Sequence, residues 1–236
     1  MGRRVPIDLE SIRKKLVDGS RGGYCYEQNK LFRHVLEQIG FNVSTYAGRV
    51  VWGFDEPRFN ATTHMLLGTK IEGKEYIVDV GFGGQTLSGP IALETGIEQQ
   101  LPLGTYRITD IKHRDDLGDS DFMLDVKLGS NTWKSIYTFN QNELFDVDLE
   151  APNWYVSTYP KSVFVKGLMV AAHGPDYSLS LLNRRLTKHL VSGDKDVTEL
   201  KASEIPQVLK DKFGIEIPGN QEELVTAIER LPDSFV

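Results

Sequence analysis

Apolar positions change period along the chain, and each change marks a different kind of element. Between Ile7 and Asp18, the residues Leu9, Ile12, Leu16 and Val17 recur at helical spacing, with Asp8 placed to cap the N-terminus and Gly19 to stop the run. The same spacing returns in Leu31, Phe32, Val35, Leu36 and Ile39, which Gly40 ends. Two helices are therefore predicted, one over 7–18 and one beginning near Cys25 and ending at Ile39. From Phe41 onward β-favouring residues take over: Val43, Tyr46, Val50, Val51 and Trp52, with bends at Gly48, Gly53 and Asp55-Glu56-Pro57.

The most informative stretch is a hairpin, His64–Ile71 followed by Lys74–Gly81, joined by the two-residue turn Glu72-Gly73. With that turn Ile71 opposes Lys74, Leu66 opposes Asp79 and His64 opposes Gly81. Side chains alternate faces, so His64, Leu66 and Asp79 share one face and His64 lies diagonal to Asp79. Diagonal neighbours stand roughly 7–8 Å apart at the backbone, close enough for an imidazole–carboxylate hydrogen bond. A bulge or a longer loop would break this register.

Residues 81–104 are rich in Gly and Pro and read as loops with short strands. Strands are predicted over 105–111, 121–128 and 132–139, with turns at 115–120 and 129–131. Helical signals run after Asn140 through about Val156, strands are predicted at Val163–Val165 and Tyr177–Leu181, and amphipathic helices at Ala202–Phe213, stopped by Gly214, and Gln221–Leu231. No internal repeat, low-complexity segment or flexible linker interrupts the chain. The result is an α+β chain with three divisions: helices over 1–40, an antiparallel β sandwich or barrel over 41–140, and a mixed α/β region over 141–236.

Composition narrows the function classes. A net charge of −6 and a pI near 5.4 argue against nucleic acid as a partner, because phosphate binding concentrates Lys and Arg. The clusters Arg3-Arg4, Arg13-Lys14-Lys15 and Arg184-Arg185 are short and separate. No apolar run approaches the roughly 18–20 residues of a membrane helix, so no membrane partner is expected. The single cysteine rules out an internal disulfide framework and fits a reducing cytoplasm. One Cys and five scattered His offer no metal-ligand spacing, so no metal is expected. Gly81-Phe82-Gly83-Gly84 lacks the Lys-Ser/Thr ending of a phosphate loop, although its backbone N–H groups could meet a diphosphate or a carbonyl oxygen.

Cys25 stands two residues after Gly22-Gly23 and at the start of a helix, followed by the polar Glu27-Gln28-Asn29. Glycines suit a tight turn there, and the partly positive N–H groups of a first helical turn favour an anionic nucleophile. Cys25, His64 and Asp79 are the residue types of a nucleophile, a proton-exchanging imidazole and a carboxylate that orients it. Each also has a structural reading. A lone Cys is often a small buried hydrophobe, Asp79 could cap the turn into Gly81, and a lone His at a strand start is often structural. The hairpin register weakens these alternatives jointly, because it places His64 and Asp79 on one face without reference to Cys25.

Arg21-Gly22-Gly23-Tyr24-Cys25-Tyr26-Glu27-Gln28-Asn29, Thr63-His64 before an apolar strand, and Val78-Asp79-Val80-Gly81-Phe82-Gly83 resemble the arylamine N-acetyltransferases, including bacterial N-hydroxyarylamine O-acetyltransferases. The likeness extends through Asn153–Pro160 into Asn183–Thr187. It implies a papain-like Cys-His-Asp core in three lobes: a helical lobe bearing Cys25, a β-barrel bearing His64 and Asp79, and a C-terminal α/β lid. It further implies transfer of acetyl from acetyl-CoA, as co-substrate, to an aromatic amine, hydrazine or hydroxylamine by way of an acetyl-cysteine. Carried over by motif, Cys25 is the nucleophile, His64 the base and Asp79 its orienter, while Thr63, Phe82 and Gly83 match positions lining the acyl and CoA entrance. Family members usually begin earlier, so the resemblance implies an incomplete first helical lobe. A papain- or transglutaminase-like thiol enzyme acting on proteins would use the same three residues, and an impaired binding protein is the non-catalytic alternative. A homodimer is compatible with the sequence.

Overall fold

The computed structural model describes residues 4–129 and 132–232. In chain order the elements are α1 (Leu9–Ile12), a π-helical turn (Arg13–Asp18), α2 (Cys25–Gln38), β1 (Val43–Val50), β2 (Thr62–Ile71), β3 (Lys74–Val78), β4 (Ile91–Ala92), β5 (Gln99–Leu101), β6 (Gly104–Asp110), β7 (Phe122–Leu128) and β8 (Thr132–Phe139). Then come α3 (Glu150–Thr158), α4 (Val163–Lys166), β9 (Met169–His173), β10 (Tyr177–Leu182), β11 (Arg185–Leu190), β12 (Lys195–Glu199), α5 (Ile205–Phe213) and α6 (Gln221–Glu229). By compactness, Tyr24–Pro152 form one unit, and the segments before Tyr24 and after Pro152 form another.

The unit Tyr24–Pro152 is an antiparallel sheet of eight strands in the order β4-β3-β2-β1-β8-β7-β6-β5. It curls until its two edges meet. Gln99 on β5 closes the gap with its side chain, accepting from the Ala92 N–H at 2.8 Å and donating to the Ala92 carbonyl at 2.9 Å. That link consumes edge groups which would otherwise stay open to pairing with another chain. Leu66, Ile77, Ile91, Ile108, Leu124, Ile136 and Phe139 fill the curl, each 1% exposed or less. Helix α2 packs outside it against β1 and β2.

The central hairpin has the predicted register, from Ile71 opposite Lys74 to Leu67 opposite Val78. Glu72 and Gly73 both adopt positive φ, 51° and 81°, as the two-residue turn of a twisted hairpin demands. The ladder stops at Val78, one residue short of Asp79. Strands β6, β7 and β8 fall within a residue of prediction, and within the predicted turn at 115–120 Asp115–Leu117 form a short 3-10 helix. The turn predicted at 129–131 lies outside the described residues beyond Gly129.

In the second unit, α5 and α6 cover a four-stranded sheet in the order β12-β11-β10-β9, with Leu181, Leu186, Ile205, Leu209 and Ile228 between them. Gly214 ends α5 in the left-handed conformation at φ 64°, as its position predicts. Three expectations change. The helix predicted over 7–18 is α-helical only to Ile12 and then widens into a π turn. Gly19 permits this, since a Cβ there would stand 2.8 Å from the Lys14 carbonyl oxygen. The strand predicted at Val163–Val165 is a single helical turn, because Ser162 accepts from the Phe164 N–H and fixes a helical start that outweighs β-branched propensity. The helical stretch expected after Asn140 starts only at Asp146. Leu144 donates to the Thr45 carbonyl, and Asp148 caps the Phe145 N–H to start a 3-10 turn at Asp146 that leads into α3.

Candidate active site

Three elements of the Tyr24–Pro152 unit converge at one end of β2. Cys25 is the first residue of α2, which is held in place when Glu27 accepts the Tyr24 N–H at 3.1 Å. His64 lies on β2, and Asp79 follows the last residue of β3. The structure brings all three together in a buried setting, with exposures of 5%, 4% and 2%. His64 Nε2 stands 2.7 Å from Asp79 Oδ2, so Nδ1 is the ring nitrogen left for other partners. The Cys25 sulfur lies 3.9 Å from the carbonyl oxygen of Thr63, the residue before His64.

Asn29, one helical turn after Cys25, ties these elements to one another. Its Nδ2 donates to Asp79 Oδ1 at 2.9 Å and to the Met65 carbonyl at 2.7 Å, and its Oδ1 accepts from the Val80 N–H at 3.0 Å. Asp79 Oδ1 also accepts from the Gly81 N–H at 2.9 Å. Every oxygen of the buried carboxylate is thus hydrogen-bonded, which lets it stay charged away from water.

The electrostatics follow from this packing. Burial alone would lower the pKa of His64, but the charge and hydrogen bond of Asp79, with hydrogen-bonding and charge contributions from Cys25, push it up to about 10. Burial would raise Asp79, yet the charge and hydrogen bond of His64 and the donors Asn29 and Gly81 hold it below the usual carboxylate value. The pair is therefore an imidazolium and a carboxylate at neutral pH.

The His64 ring is held from two sides. Phe82 meets it edge-on at 5.2 Å between centroids, and Tyr137 lies at 4.9 Å. The Tyr137 hydroxyl is buried with no hydrogen-bond partner among the described residues, and burial together with the charge of Asp79 raises its pKa well above the ordinary value. Of the predicted entrance residues, Thr63 and Phe82 thus border Cys25 and His64. Gly83 follows with φ 87° in a loop closed when its carbonyl accepts from the Thr86 N–H at 3.0 Å.

At 81–84, where the sequence leaves room for an anion nest, two of the backbone N–H groups are already engaged within the fold. The N–H groups of Val80, Gly81 and Phe82 donate to Asn29, Asp79 and Thr86, so these donors fix the site instead of meeting a ligand. Thr86 in turn donates to the Asp79 carbonyl at 2.8 Å. Asn29, Thr86 and Tyr137 carry much of this geometry, and the pattern of the chain did not single them out. Asn29 had one available signal: a polar side chain four residues after Cys25 shares its face of the helix. Among the described residues, no group of three or more His, Cys, Asp or Glu is placed to hold a metal ion, and no helix is long and apolar enough to cross a membrane.

The family model described as N-acetyltransferase matches residues 1–222. The arylamine N-acetyltransferase of Mycolicibacterium smegmatis is 40% identical over 214 residues, covering 89% of this chain and 75% of that protein. Its counterpart in Escherichia coli strain K12 is 36% identical over 221 residues, covering 90% and 73%. Among solved structures, an arylamine N-acetyltransferase of Mycobacterium marinum in complex with CoA superimposes with a TM-score of 0.89 at 37% identity, over 98% of this chain and 84% of that one.

Proposed function

The chain belongs to the arylamine N-acetyltransferase family, and on that premise we propose that it moves acetyl from acetyl-CoA to an aromatic amine, hydrazine or N-hydroxyarylamine through an acetyl-Cys25 intermediate. The observation that carries this reading is the buried His64–Asp79 pair set beside a cysteine at a helix start. Cys25 is the nucleophile, His64 the group that exchanges protons with the reactants, and Asp79 the group that fixes the imidazole's orientation. Thr63, Phe82 and Gly83 border the entrance for the acetyl-CoA acyl end.

In the first half-reaction the Cys25 thiolate attacks the thioester carbonyl, and the oxyanion that forms is stabilised by N–H groups at the start of α2. The tetrahedral intermediate expels the CoA sulfur, which takes a proton from His64 Nδ1 and leaves as a thiol. Acetyl-Cys25 and a neutral His64 remain. In the second half-reaction the amine nitrogen attacks the acetyl carbon while His64 Nδ1 takes its proton. Collapse expels the Cys25 thiolate and restores the imidazolium, whose charge Asp79 stabilises. The free thiol suits a reducing cytoplasm.

A panel of anilines, hydrazides and N-hydroxyarylamines with acetyl-CoA tests the reading. CoA should be released in step with acceptor acetylation; release that is absent for every acceptor overturns it.

A further inference from the structure

Where β2 enters the site, its pairing with β1 slips by one residue. Gly48 faces His64 and Arg49 faces Thr62, so β2 carries one residue more than β1 and Thr63 is the extra one. Such a bulge bends its strand and re-aims the groups beside it. The carbonyl oxygen 3.9 Å from the Cys25 sulfur belongs to this extra residue, and His64 is the residue that follows it. A bulge disrupts the ladder locally, so its shape depends on other contacts. Arg49 supplies them from the opposite strand. Its Nη1 donates to the Asn60 carbonyl at 2.8 Å, its Nη2 donates to Asp119 Oδ1 at 2.9 Å, and its guanidinium carbon lies 4.4 Å from the centre of the Phe59 ring. Asn60 Nδ2 donates back to the Val50 carbonyl at 3.0 Å. The Arg49 side chain is 18% exposed, which shields these bonds from water, whereas Asp119 stands in solvent. Asp119 is fixed in turn by Asn140, whose Nδ2 donates to its carbonyl at 3.0 Å. Phe59 fits beneath the guanidinium because residue 118 is glycine, at φ 72°; a Cβ there would run into the ring.

We propose that Arg49 is a positioning residue for acetyl transfer: from β1 it clamps Phe59 and Asn60, which lead into the Thr63 bulge, and so sets where the Thr63 carbonyl and the His64 imidazole stand relative to the Cys25 sulfur. The inference rests on the acetyl-transfer reading above. Arg49 acts through the backbone of Asn60–His64 and not on a reactant. A planar fork that bonds two acceptors while stacking on a ring is specific to arginine, so lysine replaces it only in part.

The test is the rate at which iodoacetamide alkylates Cys25 at about pH 7, corrected for the folded fraction measured by circular dichroism. Alkylation needs no acetyl-CoA, so it judges the clamp separately from the acetyl-transfer reading; a parent protein that is alkylated yet never takes up acetyl defeats that reading alone. Arg49→Gln should slow alkylation about tenfold or more, because small displacements at a reacting atom are costly. Arg49→Lys should fall between Arg49→Gln and the parent. Asp119→Ala, which removes only the exposed arm of the clamp, should slow it about twofold to fivefold, the scale of one surface ion pair. Ile108→Val trims the buried barrel core and shows what lost stability alone does. If the Arg49 variants do not fold, Asp119→Ala decides. Rates per folded molecule that match Ile108→Val in every folded clamp variant would overturn the proposal, since a purely structural Arg49 lowers stability without touching the reactivity of the molecules that remain folded.

Discussion

Gly81 lies against Cys25 so closely that a Cβ on Gly81 would stand 2.6 Å from the Cys25 Cα and 3.1 Å from its Cβ. The chain leaving Asp79 can pass the Cys25 backbone only where no side chain intervenes. Gly81→Ala must push α2 away from β3, and overpacking of this kind costs about 1–3 kcal/mol. Urea denaturation should show that loss. Alkylation of Cys25 by iodoacetamide, measured under folding conditions, should slow as the sulfur moves from His64.

Asn29 joins the helix that begins at Cys25 to β2 and to the residues that follow β3 by three hydrogen bonds. In Asn29→Ala the Met65 carbonyl, the Val80 N–H and one oxygen of Asp79 lose a buried partner, at about 1–3 kcal/mol for each group left unsatisfied. The variant should lose stability in thermal denaturation. It should also lose acetyl-transfer rate at temperatures where it is still folded, because Asp79 is then free to turn.

Asp79→Asn separates orientation from folding. An amide fills the same space, but it can donate toward His64 Nε2 and so favour the wrong imidazole tautomer. In the serine-protease template the same change lowers kcat about 10⁴-fold. Here a loss of about 10² or more in acetyl-transfer rate is expected, with the circular dichroism spectrum unchanged.

The His64–Asp79 pair also links stability to pH. The folded pKa of His64, about 10, lies above its ordinary 6.5, so its contribution is full below about 6.5 and is lost as pH rises toward 10. The folded pKa of Asp79 lies below its ordinary 3.8, so its contribution is present above that value and is lost as pH falls through the depressed one. The difference in unfolding free energy between the parent and His64→Gln should therefore be larger at about pH 6 than at about pH 9. A difference that stays constant or grows with pH would contradict the charged pair.

Much of the site's framework was legible in the chain because it rests on local rules. Alternation and the Glu72-Gly73 turn set the hairpin register, and the register sets the His64–Asp79 relationship. The groups that hold this pair in place were harder to read, since they reach it from afar in sequence: Tyr137 from β8, and Asn29 from α2, whose only signal was its place one turn after Cys25. The second unit was harder to read for a different reason. Every residue of Lys195–Glu199 is exposed, so β12 carries no burial alternation to betray it, and the β-rich Val163–Val165 yields to the cap at Ser162. At Gly81–Gly84 the N–H groups of Gly81 and Phe82 donate within the fold, a choice the sequence did not reveal because glycine content reports backbone freedom and says nothing about where N–H groups donate.

The central claim is that Cys25 carries the acetyl group between two substrates. Protein incubated with acetyl-CoA alone, then digested and analysed by mass spectrometry, should show one acetyl group on the peptide containing Cys25. Adding aniline should remove it and yield acetanilide in equal amount. An acetyl group that resides elsewhere, that forms equally in Cys25→Ser, or that never forms while acceptors are acetylated would contradict the account.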